Sequence, residues 1–312
     1  MKILVTGCAG FIGSHLVDKL LLGGNLVIGL DNFNDYYDPK RKQRNLKDAL
    51  SHKNFKLVRG DILDEKLLGE IFNKNKFDIV VHLAARAGVR PSIYDPILYA
   101  NVNKIGTLNL LNALVKNKVK KFIFASSSSV YGKTAVIPFR EDDSCSSIIS
   151  PYGASKKAAE FFVESFCKIY GLKSIILRFF TVYGPRGRPD MAPALFANAV
   201  INGTTIKQFG DGKTFRDYTF VEDIVDGIEK SIEKDLNFEI INLGNNNPVS
   251  LLEFISIIEA ALGKKAKVLK LPLRPGDVKK TWANIEKARE LLGWSPKTNI
   301  SRGMKEYIKW LK

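Results

Sequence analysis

The N-terminal stretch MKILVTGCAGFIGSHLVDKLLLGGNLVIGLD constrains the fold more than any other part of the chain. A short apolar run passes through Gly7, Gly10 and Gly13 into an apolar, helix-like repeat, and a second apolar run ends at Asp31. This order predicts a strand, a glycine turn, a helix and a second strand. Glycines in such a turn let a phosphate approach the backbone, and the helix N-terminus directs free N–H groups at it.

Asp31 supports a dinucleotide site at this turn. It ends the second strand about 20 residues past the glycines, where a carboxylate can accept both hydroxyls of an adenosine ribose. A 2′-phosphate would meet a negative charge there, so we expect NAD rather than NADP. The spacing G-x-x-G-x-x-G differs from the G-x-G-x-x-G fingerprint, and a turn whose glycines serve only packing is the alternative. The flanking strand and helix and the acid favour the nucleotide.

Composition excludes several classes of protein. Of the 312 residues, 45% are hydrophobic and 26% are charged, which is typical of globular proteins. The sequence has no apolar run of membrane-spanning length and no secretory leader, so we expect a cytoplasmic protein without membrane contact. Cys8, Cys145 and Cys167 lack metal or disulfide spacing and are expected to stay reduced. No metal site is expected.

The formal net charge of +16 permits a nucleic-acid partner. The lysines are spread over 40–56, 116–121 and 264–280, however, without the interleaved aromatic residues that stack on bases. A solvated basic surface that also attracts anionic nucleotides is the preferred explanation, and no nucleic acid is expected.

Strands and helices alternate through the first half of the chain. Strands are expected at 55–59, 77–83, 121–125 and 174–178, and helices at 39–50, 65–74, 95–115 and from Pro151. This alternation predicts an α/β fold with a Rossmann-type, doubly wound parallel sheet, whose ligand lies at the carboxyl ends of the strands. The residues expected at that edge are the glycines, Asp31, Ala84, Ser127 and Tyr152.

Two polar residues in this half each have two interpretations. Asp61 follows the third strand, where it can meet an adenine amino group or cap the helix 65–74. Asn103 lies within the helix 95–115. Because a buried amide is costly without partners, Asn103 either faces solvent or holds backbone and cofactor groups.

The regular alternation stops after residue 178. The segment 181–193 contains three prolines and two glycines. We therefore divide the chain into a dinucleotide-binding domain, 1–178, and a smaller C-terminal α/β substrate-binding region, 179–312, with segments near 215–245 returning to the first sheet. Further helices are expected at 192–202, 222–234, 251–262, 285–292 and 301–311.

Ser127, Tyr152 and Lys156 carry the expected chemistry. Tyr152 and Lys156 are four residues apart, on one helix face. A free tyrosine has a pKa of about 10, but a nearby ammonium and a positive nicotinamide favour its phenolate, so Tyr152 can serve as a base. Ser127 can bond the same substrate oxygen. The alternative is an exposed helix with an incidental Tyr and Lys, which the position after a dinucleotide half-site disfavours.

Together the motifs resemble those of extended short-chain dehydrogenase/reductases of the NAD-dependent nucleotide-sugar epimerase/dehydratase family, over essentially the whole chain. They are Thr6-Gly7-x-x-Gly10-x-x-Gly13, His82-Leu83-Ala84-Ala85, Ser127, Tyr152-x-x-x-Lys156, Arg178-Phe179-Phe180 and Arg216-Asp217-Tyr218. The resemblance implies that tightly held NAD⁺ takes the C4 hydride of a sugar while Tyr152 takes the 4-hydroxyl proton. The implied cofactor contacts are Gly7, Gly10, Phe11, Ile12, Gly13, Asp31, Asn32, Asp61, Ile62, Leu83, Ala84, Ala85, Asn103, Tyr152 and Lys156.

Within this family, the segment after Ser127 separates the reactions. Sugar 4,6-dehydratases have an Asp-Glu pair there and uronate decarboxylases a Glu, whereas this chain has Ser128-Ser129. The chain is most similar to UDP-glucuronate 4-epimerases. It departs from them at Arg86 and Arg186, where these enzymes commonly have Gln and Trp. The resemblance therefore implies reversible epimerisation of UDP-glucuronate to UDP-galacturonate through a 4-keto intermediate. The stretches that carry the similarity are 31–38, 87–90, 126–132 and 181–191.

The same resemblance implies the substrate contacts, which are Ser127, Ser128, Tyr152, Thr181, Arg90, Arg188, Arg216, Arg274 and Asp277. Arg216 and Arg274 match positions on the UDP diphosphate, which suits a guanidinium fork, and Asp277 matches one near the uridine ribose. We hypothesise that Thr181 and Ser128 hydrogen-bond the sugar carboxylate, the alternative for Thr181 being a capped turn. For Arg90 and Arg188 the alternative is a solvated surface.

Other functions stay open at this point. The chain could epimerise UDP-glucose or UDP-N-acetylglucosamine, or it could be a non-catalytic NAD- or RNA-binding member of the family. The resemblance also implies a homodimer in which the helices 95–115 and 151–170 pair across a two-fold axis into a four-helix bundle.

Overall fold

The computed structural model describes residues 1–133, 136–272 and 278–312. Its strands are β1 (Lys2–Thr6), β2 (Leu26–Asp31), β3 (Phe55–Arg59), β4 (Ile79–His82), β5 (Lys121–Ser127), β6 (Lys173–Phe179), β7 (Thr181–Tyr183), β8 (Thr205–Phe209), β9 (Phe215–Phe220), β10 (Phe238–Leu243), β11 (Pro248–Ser250) and β12 (Lys267–Leu271). Its α-helices are α1 (Phe11–Leu22), α2 (Pro39–Asn45), α3 (Lys47–Leu50), α4 (Glu65–Lys74), α5 (Val89–Tyr94), α6 (Pro96–Ala100), α7 (Gly106–Lys116), α8 (Pro151–Tyr170), α9 (Ala192–Asn202), α10 (Val221–Glu233), α11 (Leu251–Leu262) and α12 (Ile300–Leu311).

Seven parallel strands form the central sheet within these ranges, in the order β10-β6-β5-β4-β1-β2-β3. β4 and β5 are buried along their whole length, which explains why they read as nearly continuous apolar runs. Separate apolar cores lie on the two faces of the sheet, one under α1 and α10 and the other under α4, α7 and α8. The predicted doubly wound parallel sheet is confirmed.

The remaining strands form smaller sheets outside the central one. In the described chain, β11, β9 and β7 form one sheet in that order, and β12 pairs with β8. A separate core joins them to α9, α11 and α12, with Tyr183, Phe254 and Tyr307 fully buried. β10, which lies late in the sequence, pairs with β6 of the central sheet. Within the described residues, no helix has both the length and the apolar character needed to span a bilayer.

The buried carboxylate of Asp217, on β9, holds three segments of the chain together. It accepts the backbone N–H groups of Asn245, Asn246 and Ala283 at 2.7, 3.1 and 2.9 Å. Complete burial raises the pKa of Asp217 to about 6, and these hydrogen bonds oppose the shift. The carboxylate thereby holds the segments after β10 and before α12 against β9.

Three helices predicted as continuous are interrupted. The helix expected at 39–50 breaks at Leu46, which is fully buried between α2 and α3. The helix expected at 95–115 consists of α6, a π-helical turn at Asn101–Ile105, and α7. A second π-helical turn, Ala288–Leu292, ends the segment expected at 285–292. Apolar periodicity does not resolve a one-residue change of helical register, so the sequence could not reveal these turns.

Two of the glycines in the first turn are required by packing within the protein. Gly7 has a φ of +70°, and a Cβ there would lie 2.7 Å from the backbone nitrogen of Ala84. A Cβ on Gly13 would lie 2.1 Å from the carbonyl oxygen of Gly7. These contacts let α1 begin directly against the turn after β1.

We expect Gly13→Ala to destabilise the protein by about 1–3 kcal/mol, because the added methyl group must displace the backbone of the turn. Chemical denaturation followed by circular dichroism measures this difference. Gly69→Ala is the matched control: it lies inside α4, and among the described residues no atom comes within 4 Å of its added Cβ. Gly69→Ala should stabilise the protein by about 0.5–1 kcal/mol. Equal effects of the two substitutions would contradict the packing argument.

Candidate active site

An elongated cleft runs along the carboxyl edge of the central sheet. It begins at the glycine turn, passes the small residues after β4 and reaches Tyr152 and Lys156 on α8. The predicted cofactor residues that line it are Gly7, Gly10, Phe11, Ile12, Gly13, Asp31, Asn32, Asp61, Ile62, Leu83, Ala84, Ala85, Tyr152 and Lys156.

The glycine end of the cleft fits a phosphate. Gly10 begins α1, and no side chain in the described part of the chain caps that helix. The first N–H groups of a helix have no partner within it, so those of α1 are free for a ligand at the cleft. A Cβ on Gly10 would meet only the carbonyl of Gly7, at 3.1 Å, and would otherwise extend into the cleft. Gly10 thus keeps the approach to these N–H groups open.

Asp31 is engaged more fully than its sequence position indicates. Its carboxylate accepts the N–H groups of Ala9 and Phe33 at 3.1 and 2.8 Å and forms a buried ion pair with Lys42 at 3.2 Å. The sequence predicted the negative charge of Asp31 but not the positive charge of Lys42 beside it, and the placing of Lys42 on a solvated surface was wrong. Because Lys42 also lines the cleft, this end of the site contains both charges.

Asp61 does not cap the helix that follows it. Asp64 caps α4 instead, accepting the N–H of Leu67 at 2.9 Å. Asp61 accepts the amide of Asn32 at 2.7 Å and the N–H of Leu63 at 2.9 Å, and it lines the cleft with Asn32. Of the two interpretations, only the one in which Asp61 faces a ligand stays open.

Asn103 holds backbone rather than lining the cleft in the described residues. Its amide oxygen accepts the N–H of Arg86 at 2.8 Å, and its amide nitrogen donates to the carbonyl of Arg86 and to Ser155 Oγ, each at 2.9 Å. All polar atoms of this amide are thereby used. Ser155 in turn donates to the carbonyl of Tyr152 at 2.8 Å. Asn103 therefore connects the wall after β4 to the helix of Tyr152.

Arg188 was predicted as a substrate contact, but sequence reasoning missed the aromatic and charged wall of the cleft to which it belongs. Arg188 forms a bidentate ion pair with Asp190, with its shorter contact at 2.6 Å, and donates to Tyr36 Oη at 2.9 Å. Tyr36 donates to Asp190 at 3.1 Å and lies under the guanidinium groups of Arg86 and Arg188. The stretch of Asn and Tyr residues after Asp31 was the available signal, but its partners lie about 150 residues away.

The loop that contains Arg188 also contacts α1 through Pro185 and Arg186. Arg186 has a φ of +61° and pairs with Asp18 at 2.6 Å, and the carbonyl of Pro185 contacts His15 Nε2 at 2.9 Å. Burial lowers the pKa of His15 to about 4, and the nearby Arg186 contributes to the shift. The unusual arginine at position 186 is therefore an anchor between the loop and the cofactor half of the chain.

Ser127, Tyr152 and Lys156 meet at the far end of the cleft. Ser127 lies near enough to Tyr152 to lower its pKa, and Lys156 Nζ donates to the carbonyl of Ala125 at 2.8 Å. Ser127 Oγ also accepts the N–H of Ser129 at 3.2 Å. The end of β5 and the first turns of α8 thus bring together a phenol, an amine and a hydroxyl.

The expected lowering of the Tyr152 pKa is absent from this structure. Burial raises it, while the hydrogen bond to Ser127 and the charge of Arg188 act in the opposite direction. Burial likewise lowers the pKa of Lys156 to about 7, although Glu160 opposes this shift. The sequence argument counted the charge of Lys156 but could not include the desolvation of both groups.

The other predicted substrate residues lie apart from the walls of the cleft described above, except for Arg188, which lines it. Arg90 is exposed and stacks over Phe209, and Arg216 donates to the carbonyl of Phe215. Ser128 begins the turn after β5, and Thr181 begins β7. Arg274 and Asp277 lie outside the described residues.

We expect Lys156→Met to raise the melting temperature most at low pH. The folded-state pKa of Lys156 is about 7, below the ordinary 10.5, so the folded protein binds fewer protons between these values. Wild-type stability should therefore rise with pH from about 7 to about 10.5, and the variant lacks this contribution. Scanning calorimetry at several pH values measures the difference, which should shrink toward pH 10. Lys168→Met, at an exposed position of α8, should show no such trend; a pH-independent difference for Lys156→Met would contradict the argument.

Comparisons with known proteins show the family of the chain. A family model described as GDP-mannose 4,6 dehydratase matches residues 4–307. A UDP-glucuronate 4-epimerase of Thermodesulfobacterium geofontis is 44% identical over 310 residues, covering 99% of this chain and 95% of the relative.

Solved structures give the same result. The crystal structure of UDP-glucuronic acid 4-epimerase from Bacillus cereus in complex with UDP-glucuronic acid and NAD has a TM-score of 0.94 at 38% identity, covering 100% of this chain and 99% of that one. A UDP-glucose 4-epimerase from Thermotoga maritima with UDP-glucose has a TM-score of 0.92 at 36% identity, covering 100% and 98%. The chain therefore belongs to the GDP-mannose 4,6-dehydratase family of extended short-chain dehydrogenase/reductases.

Proposed function

We propose that this chain is a NAD-dependent UDP-sugar 4-epimerase that interconverts UDP-glucuronate and UDP-galacturonate through a 4-keto intermediate. The observation that carries the proposal is the grouping of Ser127, Tyr152 and Lys156 at the end of a cleft that fits a dinucleotide, with Ser127 near enough to Tyr152 to lower its pKa. The similarity to a UDP-glucuronate 4-epimerase and to a structure containing UDP-glucuronic acid and NAD supports the choice of cofactor and sugar.

NAD⁺, when bound, accepts the hydride from C4 of the sugar and returns it to the other face. The chain's own residues would hold it at the free N–H groups of α1, at Asp31 and Lys42, and along Ala84 and Ala85. The ion pair of Asp31 and Lys42 leaves no net charge beside the adenosine ribose. An epimerase must retain its reduced cofactor within each turnover, which the many contacts available along the cleft would favour.

Proton transfer falls to Tyr152. Its phenolate would accept the proton of the sugar 4-hydroxyl, and Ser127 would orient the same oxygen through its hydroxyl. A protonated Lys156 stabilises the phenolate, and so does the positive charge of Arg188. Because burial raises the Tyr152 pKa in the structure without ligand, these positive charges are required for the base to act near neutral pH.

Dehydration is disfavoured although the family model has the name of a dehydratase. Elimination of water across C5 and C6 needs an acid and a base beside Ser127, and this chain has Ser128 and Ser129 there. Ser129 is bound to Ser127, both through its N–H and through its hydroxyl. A hydroxyl can orient a sugar group but is too weak an acid and base for the elimination.

UDP-glucose is the second candidate substrate, favoured by the similar Thermotoga maritima structure that contains it. UDP-N-acetylglucosamine belongs to the same alternative. A non-catalytic NAD- or RNA-binding protein would not need Ser127, Tyr152 and Lys156 together, and their hydrogen-bonded arrangement supports an enzyme.

A homodimer and a cytoplasmic location are further parts of the proposal. The helices expected to pair expose large apolar side chains, among them Ile97 at 72%, Ile169 at 66% and Phe161 at 57%. Burial of such residues against a second copy would remove apolar area from water. The cysteines Cys8, Cys145 and Cys167 are unpaired, which supports a reducing compartment.

The direct test is incubation of the purified protein with UDP-glucuronate and no added NAD, followed by chromatography of the products. We expect UDP-galacturonate, because a cofactor that is retained through each turnover should copurify with the protein. Tyr152→Phe is the control and should lower kcat by at least about 100-fold, since the proton acceptor is lost. UDP-pentose as the main product, or turnover of UDP-glucose alone, would contradict the proposed reaction.

Thr181→Ala tests how the carboxylate of the substrate is held. A 4-keto uronate is a β-keto acid, which loses CO₂ when its carboxylate turns perpendicular to the carbonyl. Loss of the Thr181 hydrogen bond, worth about 1 kcal/mol, should raise KM for UDP-glucuronate about fivefold and increase CO₂ release. The assay combines initial rates with capture of ¹⁴CO₂.

Thr219→Val is the matched control for that substitution. Thr219 lies opposite Val182 on β9, and its buried hydroxyl has no partner in the described chain, so replacing it with a methyl group should leave KM unchanged. Unchanged KM and CO₂ release in Thr181→Ala would rule out the carboxylate contact.

A further inference from the structure

The last residues of β5 are each held by a different turn of α8. The carbonyl of Ala125 accepts from Lys156 at 2.8 Å, Ser126 Oγ donates to Glu160 at 2.5 Å, and Ser127 lies near Tyr152. Positions 152, 156 and 160 share one face of the helix because they are four residues apart. Two of these contacts belong to the proposed chemistry. The third contact is made by Glu160, which does not line the cleft in the described chain and has no role in the proposed chemistry.

Glu160 is fastened from the other side by Arg178 of β6. The guanidinium donates from Nε at 3.0 Å and from Nη2 at 2.8 Å, a bidentate pair whose side chains are 1% and 0% exposed. Burial alone would raise the pKa of Glu160, but the hydrogen bonds and charge of Arg178 hold it below its ordinary value. The carboxylate is therefore ionised beneath the catalytic turn of α8.

A buried ion pair of this kind needs an explanation beyond stability. Two charges removed from water lose hydration, and well-packed apolar residues of similar size often stabilise a protein as much or more. Arg178 also stacks over Tyr131, a position that an apolar side chain could fill. The pair costs desolvation, so a role in placing or charging the neighbouring groups accounts for it better than packing does.

We propose that Glu160 and Arg178 are positioning residues, which fix α8 against the end of β5 so that Ser127, Tyr152 and Lys156 meet, and which supply the negative charge that keeps Lys156 an ammonium ion. This inference rests on the proposed function for the role of the three residues. Glu160 and Arg178 themselves do not contact the substrate.

The surroundings of Lys156 make Glu160 the decisive anion. The titratable or charged groups around it in the described chain are Tyr152 and Glu160 on α8 and His82 on β4, and Glu160 is itself paired with Arg178 of β6 and, at 3.2 Å, with Lys157 of α8. His82 contributes no charge, because burial and then Lys156 lower its pKa to about 3. β5 contributes the carbonyl of Ala125 and the ring of Phe124, 4.9 Å from Nζ. Because the pKa of Lys156 is about 7, a single nearby charge decides whether the amine is protonated at neutral pH.

The test compares Glu160→Gln with the double variant Glu160→Leu/Arg178→Met. Glu160→Gln keeps the shape but leaves Arg178 unpaired, whereas the double variant replaces the whole ion pair with apolar side chains and retains the fold. Glu164→Gln is the matched control, because Glu164 lies on the same helix in an exposed pair with Lys168. Each protein is measured without ligand by NMR titration of the Lys156 ¹³Cε signal, assigned with Lys156→Arg, and as holoenzyme by the pH profile of kcat.

In Glu160→Gln, which removes the anion and leaves Arg178 unpaired, we expect the Lys156 titration to move about 1 pH unit lower, a tenfold change in its dissociation constant. In the double variant, which also removes the charge of Arg178, the shift should be smaller and in the same direction. The alkaline limb of the kcat profile should move by the same amount while KM changes less than twofold. Glu164→Gln should match the wild type. If Glu160→Gln does not fold, the double variant alone decides the question.

A double variant with wild-type titration and wild-type pH profile would overturn the inference and leave the pair a structural one. Failure of the wild type to convert UDP-glucuronate would instead overturn the proposed function. The NMR titration does not depend on turnover, so the two failures are distinguishable.

Discussion

The parallel pairing of the strands determines where every group of the site lies. In-register pairs place Thr6 of β1 beside His82 of β4 and Leu30 of β2, so the strands end at one level. The turns that follow therefore open on the same edge. His82 reinforces this level, because its ring connects Thr6 at 2.6 Å to Thr107 of α7 at 3.1 Å. A shift in the register of one strand would move the glycine turn away from Tyr152, and the two could then no longer act on one ligand.

The sequence predicted the parts of this arrangement that depend on local pattern. The glycine turn, the alternation of strands and helices, and the single helix face of Tyr152 and Lys156 all follow from spacing within about 30 residues. It did not predict contacts between distant segments. The ion pair of Lys42 with Asp31 and the contact of Tyr36 with Arg188 depend on how loops close over the sheet, which propensity and periodicity do not encode.

Desolvation explains why the electrostatics of the site departed from expectation. Reasoning from sequence adds charges in water, whereas Tyr152 and Lys156 lie in the interior, where each ionised form is destabilised. Tyr152 then needs positive charges nearby to ionise, and Lys156 needs negative charges nearby to stay protonated. The buried pairs of the chain, including Glu160 with Arg178, are concentrated around this edge of the sheet.

The π-helical turn at 101–105 has a consequence for how such a site can change. A π turn contains one more residue than the corresponding α-helical turn, and removing one residue rotates the rest of a helix by about 100°. In a regular helix, the amide of Asn103 would therefore point away from the backbone of Arg86. Insertions and deletions are usually tolerated in loops and damaging in helices. Here the contact between Asn103 and the backbone of Arg86 depends on the extra residue of the π-helical turn. The number of residues in the segment 101–105 is therefore as constrained as the choice of asparagine at position 103.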